Sequence, residues 1–393
     1  MTEPPQHHDR ECVLIVDDDA DVAEAVALGL EHAGRSVVIC ADVEAAEMCM
    51  ERFPVTHVVS DVQFSGPFGF EGFHFLGRVH ERRPDCRVAL MTGRASEELR
   101  SSSMRAGAAA LLAKPFGIEE LELALGMSRP LATSPAELHR VPSLTELLRG
   151  SALSTVYQPI VALSDDRPVI AYESLARVRN GWPLGDAGTL FEYAVRRAQT
   201  EALNLACLQE GIAASSRLPE APILFLNVDP PLLESPRLHP VVRQSAERAG
   251  LPLSRVVLEI TERSGVPHNN SVNYTLDALR ADGIRFALDD VGTAHSHLEY
   301  LDQIQPSFMK ISQTFGTRFE SSSSRERIVR HVIALAHDFG CAVILEGVED
   351  ESTAVAARHL GIEFAQGYHF GRPSEASSWL SSARAVPTST IEL

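Results

Sequence analysis

The chain contains very little lysine. Lysine and arginine together account for 35 of its 393 residues, yet Lys114 and Lys310 are the only lysines. Since arginine fills the other cationic positions, these two stand out as places where a compact ammonium serves better than a planar guanidinium. Both follow short apolar runs of the kind that form buried strands. They are therefore candidate active-site residues, the alternative being that a codon bias left them by chance.

Several other features are missing as well. No apolar run reaches membrane-spanning length, and the first ten residues are polar, so we expect neither a signal peptide nor a membrane anchor. The six cysteines follow no metal-binding spacing, which is typical of reduced thiols in a cytoplasmic protein. The chain has a net charge of -18, whereas nucleic-acid-binding proteins typically carry a surplus of basic residues. We therefore expect a cytoplasmic protein that binds neither membrane nor nucleic acid directly.

Apolar strands alternate with amphipathic helices in two regions of the chain. Residues 11–127 carry five such strands and predict an α/β domain with a doubly wound parallel sheet. Residues 128–149 are interrupted by prolines and predict a linker with one short helix near its end. Residues 150–385 carry eight strands with intervening helices, which favours a β/α (TIM-like) barrel over an open sheet.

Polar residues end the strands of the first region. They are Asp17, Asp18, Asp61, Thr92 and Lys114. In a doubly wound sheet these strand ends converge on one crevice. Two carboxylates there can hold Mg²⁺, while a third attacks a phosphoryl donor. A hydroxyl and an ammonium would then bond the new phosphate oxygens.

In this order, with Pro115 after the lysine, these residues resemble the receiver domain of two-component response regulators. The resemblance implies phosphorylation of Asp61 by a cognate sensor histidine kinase. It also implies Mg²⁺ binding by the Asp17–Asp18 pair, and phosphate sensing by Thr92 and Lys114. Leu111 occupies the position where the family commonly has an aromatic switch residue. Chemistry at Asp61 is therefore expected without the usual aromatic route of signalling.

Polar residues also end the strands of the second region. They are Glu173, Asn227, Glu259, Asp289 with Asp290, Lys310, Glu346 and Gln366. In a barrel these side chains point into one mouth, where barrel active sites lie. Burying so many carboxylates without cations is prohibitive, and divalent metals remove the difficulty. Solvation of the strand ends accounts for two or three such positions, but not for the whole set.

The oxygen ligands divide between two metal ions. Glu173, Asn227, Glu259 and Asp289 suit a first Mg²⁺ or Mn²⁺. Asp289 can bridge to a second ion held by Asp290, with Glu346 as a further candidate ligand. Two neighbouring ions suit in-line displacement at a phosphodiester. Lys310 would lie near the attacking water, and Glu346 fits a general base.

These motifs resemble the EAL-type cyclic di-GMP phosphodiesterase family over roughly residues 150–380. The matching stretches are 157–160, 173–177, 226–228, 258–262, 289–293, 310–311, 346–349 and 366–368. The resemblance implies cyclic di-GMP as substrate, linear pGpG as product, and a homodimer or higher homo-oligomer. It also implies that Arg177 helps hold the nucleotide, that Glu262 anchors the loop after Asp290, and that Gln366 belongs to the catalytic set.

The sequence departs from the family at several positions. Ser174 replaces an alanine of the signature, and Ser312 replaces the aspartate of a Lys-x-Asp motif, which removes a carboxylate near the second metal. In the loop after Asp290, Ala294 stands where the family prefers glycine, which adopts positive φ more readily. His295 and His297 could recruit a softer metal such as Zn²⁺, although solvated loop histidines are more common.

The leading interpretation is a phosphorylation-regulated cyclic di-GMP phosphodiesterase that uses two metal ions. The alternative is a catalytically degenerate barrel that binds cyclic di-GMP or a partner protein under receiver control. Ser312 and the altered loop motivate this alternative. A scaffold that binds no nucleotide is disfavoured, because the metal ligands would then serve no purpose.

Overall fold

The computed structural model describes most of the chain in two compact units. The described residues are 11–32, 35–64, 71–127, 137–149, 152–179, 182–219, 223–261, 266–267, 269–291, 300–312, 314 and 323–380. The first unit, here called the sheet unit, takes its described residues from 1–151 and 179–199. The second, here called the barrel unit, takes them from 152–178 and 200–393.

The sheet unit is built on a parallel sheet with strand order β5-β4-β3-β1-β2-β6. The strands are β1 (Cys12–Val16), β2 (Ser36–Cys40), β3 (His57–Asp61), β4 (Arg87–Thr92), β5 (Ala110–Ala113) and β6 (Leu138–Val141). The central strands β1 and β3 are buried along their whole length, as expected when helices cover both faces of a parallel sheet. The predicted doubly wound fold is confirmed.

Helices of the sheet unit flank these strands. They are α1 (Ala20–His32), α2 (Val43–Arg52), α3 (Glu71–Arg82), α4 (Glu97–Arg105), α5 (Ile118–Leu125), α6 (Leu144–Arg149) and α7 (Ala187–Arg196). Asp42 caps α2 by accepting a hydrogen bond from the N–H of Ala45, and Ser96 caps α4 in the same way through Leu99. Side-chain caps of this kind satisfy backbone donors that have no partner within the helix.

The predicted linker contributes to the sheet. Its short helix is present as α6, but residues 138–141 form a strand that the sequence did not reveal. This strand, β6, pairs in parallel with β2, so that Val37 lies beside Leu138 and Cys40 beside Val141. Its four residues are too few, and too polar, to show strand periodicity. Only the pairing with β2 makes them a strand.

The barrel unit is a closed barrel of eight strands, with order β10-β11-β12-β13-β14-β7-β8-β9. The strands are β7 (Leu153–Ala162), β8 (Val169–Val178), β9 (Ile223–Val228), β10 (Val256–Thr261), β11 (Arg285–Val291), β12 (Phe308–Ile311), β13 (Ala342–Leu345) and β14 (Phe364–Gln366). The predicted barrel is confirmed, but β7 is antiparallel to both of its neighbours. The short connection from β7 to β8 explains this, because a parallel pair needs a longer crossover.

Helices surround the barrel. They are α8 (Thr200–Ser215), α9 (Leu238–Ala249), α10 (Asn270–Ala281), α11 (Tyr300–Ile304), α12 (Ser323–Asp338) and α13 (Glu351–His359), with 3₁₀ helices at Pro230–Glu234, Leu253–Arg255 and Ala376–Trp379. In the described part of the chain, no helix is both long and apolar enough to cross a membrane.

An apolar layer fills the barrel interior below the mouth. Its buried members are Ile160, Ile170, Ala171, Ile223, Phe225, Val257, Ala287, Phe308, Ile344 and Phe364. The rings of Phe225 and Phe308 meet edge to face, with centroids 5.1 Å apart. Side chains two positions apart on a regular strand share a face, so polar residues that follow this layer by two positions also point inward. This layer therefore decides which side chains line the mouth.

Candidate active sites

The strand ends of the sheet unit bring the predicted phosphoacceptor residues together. Carboxylate oxygens of Asp17, Asp18 and Asp61 all lie within 4.8 Å of one another. The Lys114 Nζ donates a hydrogen bond of 2.5 Å to Asp17 Oδ2 and lies 3.4 Å from Asp61 Oδ1. Thr92 ends the neighbouring strand β4 and is buried there. We call these five residues the aspartate pocket.

Burial governs the electrostatics of this pocket. It raises the pKa of Asp61 to about 6 and also raises the pKa of Asp17, despite the ammonium of Lys114 beside them. Burial acts to lower the pKa of Lys114, but the two carboxylates more than reverse this and raise it. The pocket therefore holds more negative charge than one lysine balances. Its all-oxygen chemistry suits a hard cation such as Mg²⁺.

In the barrel unit, seven predicted site residues follow the inner apolar layer by two positions each. Glu173 follows Ala171, Asn227 follows Phe225, Glu259 follows Val257, Asp289 follows Ala287, Lys310 follows Phe308, Glu346 follows Ile344 and Gln366 follows Phe364. The seven strands concerned, β8 to β14, run in parallel. All seven side chains therefore lie on the inner face at one end of the barrel. We call this set the barrel mouth.

Lys310 lies at the centre of the barrel mouth and is fully buried. Its Nζ lies within ion-pair distance of four carboxylates: Glu346 Oε1 at 2.7 Å, Glu259 Oε1 at 2.9 Å, Glu173 Oε2 at 3.4 Å and Asp289 Oδ1 at 3.5 Å. A single ammonium thus faces four acidic groups. This is the imbalance that divalent cations would relieve.

The pKa shifts follow from this imbalance. Burial raises the pKa of Glu259 well above its usual range, and raises that of Glu346 to about 8. For Glu173, burial acts in the same direction, but Lys310 and hydrogen bonds from two amides overcome it and lower the pKa. Burial alone would lower the pKa of Lys310, yet the surrounding carboxylates raise it. Lys310 is therefore a permanent cation, while Glu346 can exchange a proton near neutral pH.

Several buried oxygens of the barrel mouth are poorly partnered. Within the described residues, Glu259 Oε2 and Gln366 Oε1 have no hydrogen-bond partner, while Glu259 Oε1 and Asp289 Oδ1 have only the Lys310 ammonium, at 2.9 Å and 3.5 Å. A buried acceptor without a partner is costly, and native proteins rarely leave one in this state. The unpartnered oxygens are of the type that Mg²⁺ and Mn²⁺ bind. The donor types present therefore suit a divalent metal ion.

A hydrogen-bond network orients the Glu173 carboxylate. Asn227 Nδ2 donates to Glu173 Oε1 at 3.1 Å, and Gln366 Nε2 donates to Glu173 Oε2 at 2.5 Å. Gln366 Nε2 also lies 3.1 Å from Gln158 Oε1, and Gln158 in turn donates to the carbonyl of Gly371. Gln158 was not predicted as a site residue. The feature of the sequence that could have identified it is a glutamine within the apolar strand β7, two positions before Ile160 of the inner layer.

The Asp289–Asp290 pair lies at an irregularity of β11. The register between β11 and β12 shifts between Leu288 and Val291, and Asp290 adopts a φ of 57°. Consecutive residues of a regular strand point to opposite faces, and a bulge changes this. Positive φ is uncommon outside glycine, although aspartate tolerates it better than most residues. The local strain re-aims two adjacent carboxylates, as is common beside active sites.

The departures from the family pattern have visible structural contexts. Ser174 is buried against α8, where a Cβ added to Gly211 would collide with the Ser174 hydroxyl. Ser312 is also buried, and its hydroxyl lies 3.5 Å from that of Thr314. Arg177 is half-buried on β8 and donates to the carbonyl of Ala176 at 2.8 Å. Glu262, His295 and His297 lie outside the described residues, so their predicted roles stay predictions.

Two family models match the chain. The family model of the response regulator receiver domain matches residues 13–126. The model of the EAL domain matches residues 142–373, which is more than half of the chain. The EAL match thus includes α6 and α7, which fold with the sheet unit.

Individual relatives support the same assignment. The chain is 30% identical to the cyclic di-GMP phosphodiesterase RocR of Pseudomonas aeruginosa over 283 residues, which cover 68% of this chain and 71% of RocR. It is 29% identical to the cyclic di-GMP phosphodiesterase NbdA of the same organism over 257 residues, which cover 62% of this chain and 32% of NbdA. It also spans only about a third or less of several other curated relatives.

A solved structure gives a further match. BlrP1 of Klebsiella pneumoniae, in complex with manganese and cyclic di-GMP, aligns with a TM-score of 0.52 at 28% identity. The alignment covers 57% of this chain and 56% of the BlrP1 chain. Together with the two family matches, these likenesses show that the chain belongs to the EAL domain family and carries a response regulator receiver domain ahead of its EAL domain.

Proposed function

We propose that this protein hydrolyses cyclic di-GMP to linear pGpG at the barrel mouth, with two divalent metal ions, under control of phosphorylation at Asp61. The observation that carries the proposal is the ring of four carboxylates around the single ammonium of Lys310, with Glu259 Oε2 buried and without a partner. The activity in the names of RocR and NbdA, and the ligands in the BlrP1 complex, support the same substrate and the use of divalent metal.

We assign the metal ligands in the way that the sequence analysis suggested. Glu173, Asn227, Glu259 and Asp289 would hold one Mg²⁺ or Mn²⁺, and Asp290 with Glu346 would contribute to a second site shared through Asp289. Bound ions would supply Lewis acidity at the phosphodiester and lower the pKa of a water nearby.

The chain's own groups would perform the remaining work. Lys310 offsets the charge of the four carboxylates and would stabilise negative charge as it develops on the phosphate. Glu346, which lies 2.7 Å from Lys310 Nζ, would accept a proton from the attacking water. Gln366 and Asn227 hold the Glu173 carboxylate in one orientation. Arg177 would bind the nucleotide.

In the sheet unit, Asp61 would accept the phosphoryl group from a sensor histidine kinase. Asp17 and Asp18 would hold Mg²⁺, while Lys114 and Thr92 would bind the phosphate oxygens. We further propose a homodimer or higher homo-oligomer, and a cytoplasmic location, as the family resemblance and the sequence suggested.

A second function is favoured by one specific observation. Ser312 places a hydroxyl, hydrogen-bonded towards Thr314, where the family motif has a carboxylate. A weakened second metal site would leave a barrel that binds cyclic di-GMP without hydrolysing it. In that case, the receiver would control a nucleotide-binding module.

The deciding experiment is conversion of cyclic di-GMP by the purified full-length protein in Mg²⁺ and in Mn²⁺. Glu346→Gln keeps the shape of the side chain but removes the base, and Arg330→Gln on the exposed face of α12 serves as the matched control. Formation of pGpG by the wild type and the control, but not by Glu346→Gln, supports the enzyme. Nucleotide binding without product in either metal contradicts it and favours the binding module.

A further inference from the structure

One segment of the chain belongs to the sheet unit although it interrupts the barrel. The chain leaves the barrel after Val178 at the end of β8, contributes residues 179–199 to the sheet unit, and re-enters the barrel at Thr200, where α8 begins. Residues 187–196 of this excursion form α7. The chain therefore passes between the two units at two further points, after Val178 and before Thr200, besides the predicted linker.

The central contact of α7 is a buried hydrogen bond to α2. The Tyr193 hydroxyl donates to Asp42 Oδ2 at 2.5 Å, and Tyr193 is fully buried. Asp42 is also the N-cap of α2, because its other carboxylate oxygen accepts from the N–H of Ala45. Tyr193 thus joins α7 to the start of α2.

Charged residues extend this contact along both helices. Arg197 Nη1 lies 2.9 Å from Glu44 Oε2, and Arg196 lies 3.6 Å from Glu47 and 3.5 Å from Glu51. The acidic side of α2 therefore faces the basic end of α7. Such partly exposed pairs contribute little energy individually, but they set the register in which the helices meet.

A short series of hydrogen bonds connects the aspartate pocket to the contact between Tyr193 and Asp42. Lys114 bonds the Asp17 carboxylate, and the backbone N–H of Asp17 donates to the carbonyl of Cys40 at 3.1 Å. Cys40 ends β2, two residues before Asp42. A phosphoryl group on Asp61 would compete with Asp17 for Lys114, because it adds charge and acceptor oxygens beside the ammonium. The bonded path thus runs from the pocket through the end of β2 to Tyr193.

At its other end, α7 connects to the barrel mouth through the chain itself. Glu173 and Arg177 lie on β8, within the ten residues that precede position 179. On the exit side, α8 carries Asn204, which donates to Asp229 at 2.8 Å, just beyond the strand that bears Asn227. The stretches that flank α7 in the chain therefore bear Glu173 and Arg177 on one side and the Asn204–Asp229 hydrogen bond on the other.

We propose that Tyr193 and Asp42 are positioning residues that couple the aspartate pocket to the β8 side of the barrel mouth, with α7 as the moving element. This coupling would provide the proposed control by phosphorylation, so its biological role rests on the proposed function. The signal would travel along β2 and α2, and would not require an aromatic residue at position 111. A phosphoryl group on Asp61 would thereby change the affinity of the barrel mouth for its ligand.

The test follows backbone amide exchange in the full-length protein, which does not depend on turnover. Exchange is measured in peptides from α2, α7, β8 and α8, with and without Mg²⁺ and acetyl phosphate as the phosphodonor. We compare the wild type with Tyr193→Phe, which loses only a hydroxyl, and with Asp42→Asn, which keeps an acceptor for the helix cap. Tyr274→Phe, on an exposed tyrosine of α10, is the matched control. Asp61→Asn removes the phosphoacceptor.

In the wild type and in Tyr274→Phe, we expect the phosphodonor to change exchange in α7 and β8 by about tenfold. In Tyr193→Phe and Asp61→Asn, we expect no change in β8. Without phosphodonor, Tyr193→Phe should already accelerate exchange in both α2 and the end of β8. Acceleration confined to α2, or a wild-type response of β8 in Tyr193→Phe, overturns the proposal.

A second measurement separates this inference from the proposed function. The Kd for cyclic di-GMP, measured by calorimetry in the Glu346→Gln background, should shift at least about threefold with phosphodonor, and the shift should vanish on adding Tyr193→Phe. An unchanged Kd in the presence of normal phosphorylation contradicts the coupling. A protein that binds no cyclic di-GMP would refute the proposed function, while the exchange experiment would still decide whether the pocket and β8 are coupled.

Discussion

In protein freed of divalent ions, the barrel unit should become less stable as the pH rises. The perturbation is a change from about pH 5.5 to about pH 7.5 in protein freed of divalent ions. Glu346 has its pKa raised from 4.5 to about 8 in the folded protein. Between these two values the folded state keeps a proton that the unfolded chain has released. The free energy of unfolding therefore falls with rising pH throughout this window.

The magnitude follows from the same shift. Each pH unit in the window costs about 1.4 kcal/mol of stability, so two units cost about 3 kcal/mol. Burial raises the pKa of Glu259 well above its usual range, and this adds to the effect with the same sign. Glu173 has a lowered pKa and Lys310 a raised one, so both keep their charge in this range and contribute no slope. For a unit of this size, the expected fall in Tm is about 6–12 °C.

The two tryptophans allow the units to be followed separately. Trp182 belongs to the sheet unit, whereas Trp379 belongs to the barrel unit, where its Nε1–H donates to the carbonyl of Tyr157 at 3.1 Å. In Trp182→Phe, thermal unfolding monitored by tryptophan fluorescence therefore reports on the barrel. Glu346→Gln in the same background is the control. It should lose the part of the pH dependence of Tm that is due to Glu346, and keep any part that arises from the overall charge of -18.

Mn²⁺ should reverse the effect, because metal binds the ionised carboxylates and hence stabilises more at the higher pH. A Tm that rises with pH in the metal-free protein would refute the reasoning. An identical pH slope in the Glu346→Gln variant would refute the role of Glu346 in it.

Further predictions concern single side chains. Lys310→Met leaves four buried carboxylates without their cation, so we expect the free energy of unfolding of the metal-free protein to fall by about 3–5 kcal/mol in denaturant titrations. Mn²⁺ should restore part of this loss. An unchanged denaturation midpoint would contradict the charge balance described above. Gly211→Ala should destabilise by about 1–3 kcal/mol, because the new methyl group meets the Ser174 hydroxyl. In a Ser174→Ala background much of this loss should disappear, and additive effects in the double-mutant cycle would show that the two sites do not interact. Gln158→Leu removes a partner of Gln366, so it should weaken Mn²⁺ binding by about tenfold in calorimetry, whereas Gln303→Leu on α11 should not. Asp61→Asn should abolish the mass increase produced by acetyl phosphate, and persistence of that increase would place the phosphoacceptor elsewhere.

Much of both sites could be predicted from the sequence because the relevant pattern is local. An apolar run followed by a carboxylate, an amide or a lysine identifies a strand together with the polar side chain at its end, and this holds for Asp61 and Glu259 alike. The inner apolar layer reinforces the pattern, since a residue two positions later on a strand points the same way. Parallel strands then bring these ends together without further information.

What the tertiary structure alone decided depends on partners distant in the sequence. The strand β6 exists because β2 offers it an edge, and β7 runs in the opposite direction because of its short connection to β8. Gln158 joins the barrel mouth only through that reversal. The amphipathic pattern of α7 shows that one of its faces is buried, but periodicity does not identify the surface that covers it. That surface is the acidic side of α2, reached through Tyr193 and Asp42. Local patterns determine which residues are buried or polar, whereas long-range packing determines which of them meet.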